Sequence, residues 1–332
     1  MPDTAPTPDP AERPFDAATA DALLQRSVLL ITGKGGVGKS TVAASLARLA
    51  ARRGKRVLLL ELESVSRVGP LFGLPAVGSQ PVEAAPNLFV ACLHAMDSLR
   101  FFATHQLKVA ALVNLALRNK AVESFFAAVP AMKPILFLFQ LWRTEVEHGP
   151  HGDRQWDLIV CDLPTSGFAA GMFAIPEMMS QVFRLGPVAA YAVGMHELLT
   201  DPKRTGLVLV TLPEELPLVE TLELRAMLQQ RHGVEAAGVV INGVMPAALP
   251  EARLRDARRA LAPDAAQGWL WAANLLQARH VRARAAFDRL HVALPGRVLA
   301  TPFLFRRQMP LQAIDTLADA LAAGGSFAAE GA

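Results

Sequence analysis

The sharpest chemistry in this sequence sits in nine consecutive residues, Gly33-Lys34-Gly35-Gly36-Val37-Gly38-Lys39-Ser40-Thr41. Their spacing is G-x-x-x-x-G-K-[ST]. Glycines at 33, 35, 36 and 38 let successive backbone N–H groups turn inward around phosphate oxygens, with Val37 and Thr41 in the same wrap. A helix beginning near Ser40 adds the positive end of its dipole to the same anion. Lys39 is placed to reach terminal phosphates, and the Ser40 hydroxyl to bind Mg²⁺. The run therefore predicts a nucleoside triphosphate site. It also satisfies G-x-G-x-x-G, and Glu61 falls near the end of the next strand, where a ribose-binding acid belongs. A dinucleotide protein is the alternative, although that pattern gives no reason for Lys34, Lys39 and Ser40 together.

Such a loop needs a strand before it and a helix behind it. Ser27–Thr32 is an apolar run ended by Gly33. Ser40–Arg53 puts Val42, Leu46, Leu49 and Ala50 on one helical face, and Gly54 stops it. Further apolar runs follow at Arg56–Glu61, Asp157–Cys161, Thr205–Thr211, Ala237–Asn242 and Gly296–Thr301. Val188–Val193 suits a strand or a helix segment equally. The alternation predicts an α/β fold, a doubly wound, mostly parallel sheet with helices on both faces. Two helical insertions interrupt it. Residues 93–148 are rich in Phe, Leu and Trp and are split by Pro130 and Pro134; residues 250–291 are rich in Arg. We expect a single domain over 23–322, a Pro-rich irregular tail over 1–22 and a flexible tail over 323–332.

The composition removes several function classes. With 52% hydrophobic and 19% charged residues, wholesale disorder is excluded. Lys plus Arg number 33 against 30 Asp plus Glu, and 33 − 30 = +3 is too near balance to argue for nucleic acid. Two cysteines, Cys92 and Cys161, are too few for a disulfide framework or a closed thiolate zinc site within one chain, and fit a reducing compartment. No apolar run reaches the length of a membrane span, and the first twenty residues have no secretory pattern. The expected location is cytoplasmic, with contact at the membrane periphery left open.

Lys34, two places before Gly-Val-Gly-Lys, makes the loop K-G-G-V-G-K-[ST]. This form resembles the dimeric ATPases that include MinD, ParA, the nitrogenase iron protein and the arsenite-pump ATPase, ArsA. The resemblance implies that Lys34 reaches a partner subunit's nucleotide, with ATP held between two subunits. Other segments narrow the likeness to the ArsA branch, which includes the ATPase that targets tail-anchored proteins. Cys161-Asp-Leu-Pro-Thr-Ser-Gly-Phe168 is similar to its switch II, D-x-P-x-T-G-H. There Asp162 would hold a water on Mg²⁺ and Gly167 would permit movement. Ser166 and Phe168 replace the usual Thr and His. Thr211-Leu-Pro-Glu-Glu-Leu-Pro-Leu-Val-Glu-Thr221 matches the T-x-P-E-E-x-P-x-x-E-T segment, and Thr301-Pro-Phe-Leu-Phe305 the final strand and adenine-side loop. Val239-Val-Ile-Asn242 resembles V-V-x-N, which makes Asn242 the base-contact residue; by itself Asn242 before Gly243 also reads as a turn.

Switch I departs from the branch. Glu61-Leu-Glu-Ser-Val-Ser66 stands where D-x-D-P-A-H-S is usual, so Glu63 takes the place of the water-positioning Asp. The resemblance implies an ATPase using ATP and Mg²⁺, with Lys34, Glu63 and Asp162 catalytic. It implies a homodimer, or a heterodimer with an ArsA-like paralogue, because the pump ATPase carries two such halves and this chain has one loop. The output would be an apolar protein client or a membrane-associated partner. The altered switch I motivates an alternative, a nearly inactive nucleotide-binding scaffold paired with a catalytic paralogue. The aromatics of 93–148 would line a client groove or fill a core. Met132, Met172, Met178 and Met179 would suit an adaptable apolar surface.

Overall fold

A computed structural model describes residues 17–62, 65–107, 132–149, 153–245, 255–256, 259–260 and 263–324. Glu63, much of the first insertion and part of the second lie outside the described residues.

The sheet contains β1 (Val28–Gly33), β2 (Val57–Glu61), β3 (Val82–Ala85), β4 (Leu88–Cys92), β5 (Leu158–Asp162), β6 (Thr205–Thr211), β7 (Ala236–Val244) and β8 (Val298–Pro302). Their order is β3-β4-β2-β5-β1-β6-β7-β8. Every pairing is parallel except β3 with β4. Residues of β1, β2, β5 and β6 are buried throughout, as unbroken Val/Leu/Ile runs require when helices cover both faces. β1 lies between β5 and β6, with Ile31 opposite Asp162 and Gly33 opposite Val210. The glycine loop therefore leaves the sheet beside the ends of both neighbours, the crevice where open α/β sheets bind ligands.

The described helices are α1 (Ala17–Leu24), α2 (Lys39–Arg52), α3 (Ala95–Leu107), α4 (Met132–Val146), α5 (Ser166–Val182), α6 (Pro187–Thr200), α7 (Glu215–His232), α8 (Pro263–Ala293) and α9 (Leu311–Ala322). On one face α2 and α9 close a core of Val42, Leu46, Ile314, Ala318 and Leu321. Arg48 and Arg52 of α2 pair with Asp315 and Asp319 of α9 at its edge. On the other face α4 to α8 cover Leu30, Leu60, Ile159 and Leu209.

Two details differ from the sequence reading, and one that it left open is decided. The chain is already helical at Ala17, inside the stretch expected to be irregular; the prolines stop at residue 14, and α1 then buries Ala20, Leu23 and Leu24. Val188–Val193 belongs to α6, which starts at Pro187 after Gly186 in a positive-φ conformation. The hairpin β3–β4 had no clear sequence signal: β3 is short and half exposed, and the turn runs through Asn87 at φ 63°.

The described aromatics of the first insertion fill a core. Phe137 and Phe139 are buried, and Phe101, Phe102, Trp142 and Tyr191 pack edge-on or tilted around Phe139. Met172, expected at an adaptable surface, is fully buried, whereas Met178 is half exposed. Residues 108–131, which hold the rest of that expectation, lie outside the described residues.

Trp142 packs against Gly194 of α6, where a Cβ would come within 2.6 Å of its indole ring. Gly→Ala in a helix ordinarily stabilises by about 0.5–1 kcal/mol. Overpacking costs about 1–3 kcal/mol and reverses the sign here. Gly194→Ala is expected to lower the urea midpoint; an unchanged or raised midpoint would show that the α4–α6 contact yields freely.

Candidate nucleotide-binding site

The glycine loop is built by backbone conformations that side chains resist. Gly36 and Gly38 have φ of 85° and 89°, in the left-handed region. A Cβ on Gly33 would enter the Val210 carbonyl of β6, and one on Gly38 would enter the Asn242 amide of β7. A Cβ at Gly35 or Gly36 would meet nothing, so these two face open space. The loop is thus pressed against the strand ends on one side and clear on the other. Gly38 caps α2, whose first backbone N–H groups face the hollow without a side-chain cap.

Lys39 opens α2, is 8% exposed, and donates from Nζ to the Lys34 carbonyl at 3.1 Å. That contact holds the ammonium across the mouth of the loop. Ser40 donates from Oγ to Asp162 Oδ2 at 2.5 Å, and Asp162 is 6% exposed. A hydroxyl and a carboxylate this close at a helix N-terminus are an oxygen donor set suited to a small hard cation such as Mg²⁺. A lysine, a row of inward amides and a helix dipole are suited to phosphate. Val37 is buried beneath the loop, and Thr41 continues the first turn, its carbonyl accepting from Ser45 Oγ at 2.8 Å.

Asn242 lies beneath the loop. Its Nδ2 donates to the Val37 carbonyl at 2.9 Å and its Oδ1 accepts from Thr301 Oγ1 at 2.7 Å. Expected as a base contact, it here spans β7, β8 and the loop as a brace. Beside it Phe303 and Phe305 stack edge to face at 5.0 Å and are both exposed, with Phe303 near Gly243. Thr301 and the brace were not foreseen, because nothing in the spacing of residues 37, 242 and 301 pairs them.

Lys34, expected to reach a partner, is held within the chain: Nζ lies 2.6 Å from Glu220 Oε1 on α7, and both side chains are about one-third exposed. Glu220 was quoted only as part of a motif; its role as this counter-ion was missed. Glu61 is fully buried and accepts from Ser66 Oγ, from the Arg67 N–H at 2.8 Å and from the Val68 N–H at 3.0 Å. Its carboxylate clamps the return of switch I and has no face left for a ribose, which removes the observation behind the dinucleotide alternative. Glu63 lies outside the described residues.

The segment after Asp162 leads directly into α5. Thr165 Oγ1 caps it by accepting from the Phe168 N–H at 3.3 Å. Phe168, which stands where the resemblance places His, packs edge-on against Phe137 of α4 at 6.0 Å. Cys161, one residue before Asp162, is buried; burial first and the Asp162 charge second push its thiol well above the ordinary thiol range. It is a packing residue, as is buried Cys92.

Comparison with known proteins agrees with this geometry. The family model described as anion-transporting ATPase matches residues 26–189 and 184–263, which together exceed half the chain. An ATPase of Mycobacterium tuberculosis named BagA is 31% identical over 226 residues, covering 66% of this chain and 66% of its own length. The arsenical pump-driving ATPase of Acidiphilium multivorum is 29% identical over 243 residues, covering 67% of this chain and 40% of its own length. An Escherichia coli protein of the same description is 29% identical over 241 residues and again 40% covered.

Asn242→Ala removes two hydrogen bonds under the loop, each worth about 0.5–1.5 kcal/mol. The expected result is a roughly tenfold loss of nucleotide affinity, equal for ATP and GTP because the loop geometry serves both. A loss confined to ATP in calorimetric titration would assign Asn242 to base reading instead.

Proposed function

The chain belongs to the anion-transporting ATPase family, and from that premise we propose that it is a Mg²⁺-dependent ATPase acting as a pair of subunits. The single observation that carries this reading is the Ser40–Asp162 contact beside buried Lys39 at the amino end of α2. Gly35, Gly36, Gly38 and Lys39 would take the phosphates, and Ser40 and Asp162 would hold the metal. The metal, when bound, neutralises charge on the phosphate oxygens. Glu63 is the carboxylate that orients the attacking water in this reading, and Glu61 holds the chain at Ser66–Val68.

Pairing is supported by Lys34 in the loop form K-G-G-V-G-K-[ST], which resembles that of dimeric ATPases. The chain spans 40% of the length of the arsenical pump-driving ATPases it matches. The partner in this reading is a second copy or a paralogue. Lys34 then exchanges Glu220 for the partner's nucleotide. An exposed pair of this kind is worth about 0–1 kcal/mol, so the exchange is cheap. In the transition state Lys34 stabilises charge across the interface.

Coupling to an apolar client or membrane-associated partner is supported by the end of α5. The helix that begins just after Asp162 ends in exposed Met178, Val182 and Phe183, followed by Leu185, which is 90% exposed. Contiguous exposed apolar side chains of this size mark contact surfaces. Phe168 on Phe137 links the same helix to α4. Among the described residues no helix is long and apolar enough to cross a membrane.

Steady-state ATP turnover by the full chain is the test. Lys39→Ala is expected to abolish both binding and turnover. Lys34→Ala is expected to retain ATP binding and lower turnover at least a hundredfold, on the order of an oxyanion donor's contribution. Wild-type turnover no greater than that of Lys39→Ala would instead support the inactive scaffold paired with a catalytic paralogue.

A further inference from the structure

The edge of the sheet opposite the phosphate loop holds a second hollow. Its volume is about 380 Å³, and it is lined by Thr19, Arg26, Thr205, Glu235, Gly296 and Arg297 among others. It opens where β1, β6, β7 and β8 begin, roughly 20 Å from the loop by the rise of a six-residue strand.

Arg26 is seated there by design of the neighbouring strand. Its stem crosses Gly206 of β6, where a Cβ would come within 2.5 Å of Arg26 Cδ. Its Nε donates to the Pro202 carbonyl at 3.0 Å and its Nη1 to the Ala22 carbonyl at 2.6 Å. Both partners are neutral; among the described residues no carboxylate pairs with it. Arg297 lines the same hollow and uses Nη1 for Glu235 Oε2 and the Ala236 carbonyl, each at 3.0 Å. Among the described residues the Nη2 atoms of both arginines make no hydrogen bond. The lining thus carries two guanidinium charges against the single carboxylate of Glu235, a surplus of one positive charge. Burial and then the charge of Arg297 lower the Arg26 pKa, so the hollow presents a positive field to its own arginine.

We propose that this hollow is an anion site for a phosphate-sized oxyanion, held by the Nη2 groups of Arg26 and Arg297. A guanidinium N–H recognises phosphate and carboxylate oxygens through a charge-assisted hydrogen bond, and here each arginine contributes one such group. Carbonyls hold Arg26 in position before any ligand arrives, so little rotamer freedom is lost on binding. The anion would also tie α1 to β6 and β8, since Ala22 O, Arg26 and Arg297 share the hollow. The site is independent of nucleotide chemistry at the other edge.

The test is inorganic phosphate, titrated calorimetrically into the full chain with Lys39→Ala as background, so that the glycine loop does not contribute. Phosphate is expected to bind that background and to raise its melting temperature. Arg26→Met, which keeps the stem over Gly206, and Arg297→Met are each expected to weaken phosphate at least tenfold. Arg297 is partly solvent-exposed, so its variant carries the test if Arg26→Met does not fold. Acetate in place of phosphate separates the two oxyanion classes. Loss of phosphate binding in Lys39→Ala alone, or equal binding in both arginine variants, overturns the site.

Discussion

The structure depends on one contact that no side chain larger than glycine permits, the seat of Gly38 against the Asn242 amide. With that approach closed, the loop between β1 and α2 is pulled down onto the sheet. Val37 O is then within reach of Asn242, and Thr301 fixes the other end of the amide. The amides of Gly35 and Gly36 are left facing open space at the amino end of α2. Positive φ at Gly36 and Gly38 is the backbone form of the same constraint. Ser40 follows in the first helical turn, and strand register places Asp162 opposite Ile31, so donor and acceptor meet without any loop having to reach.

From that seat the fold divides into a chemical edge and a quiet edge. At the carboxyl ends of the strands lie the loop, Asp162, the Glu61 clamp and the Lys34–Glu220 pair. The Glu61 clamp is informative because its carboxylate is wholly buried yet spends its oxygens on the Ser66 hydroxyl and two backbone N–H groups. A buried carboxylate is costly unless it is hydrogen-bonded in this way. It fixes the chain at Ser66–Val68 against the end of β2. Phe168 on Phe137 and the exposed end of α5 then offer a path from Asp162 outward. At the amino ends of the strands the charges lining the hollow, among the described residues, are Arg26, Arg297 and Glu235.

Much of this was legible before any coordinates. Unbroken Val/Leu/Ile runs between amphipathic helices point to buried parallel strands, and the glycine spacing with Lys39 and Ser40 before a helix points to a phosphate loop. Those are local or periodic signals. What the sequence hid was pairing between distant residues. Asn242 was assigned to a base by motif, yet its amide lies under Val37, 205 positions away. Glu220 looked like one more helix acid until α7 brought it to Lys34, 186 positions away. Of the β3–β4 hairpin, β3 is a short, half-exposed edge strand without hydrophobic alternation, whereas β4 is an interior strand whose run Leu88–Cys92 is apolar. The start of α1 is hidden by the prolines before it, whose reach ends at Pro14, three residues before the helix begins.

The central claim is that Ser40 and Asp162 form a metal position that belongs to a phosphate site. The most direct measurement is calorimetric titration of a slowly hydrolysed ATP analogue into the full chain, with and without Mg²⁺, in wild type and Asp162→Ala. The account predicts tight binding that depends on Mg²⁺ in wild type, and a Mg²⁺ dependence that disappears in the variant while weak binding of the analogue remains. Affinity in wild type that is indifferent to Mg²⁺, or a Mg²⁺ dependence untouched by the substitution, would contradict it.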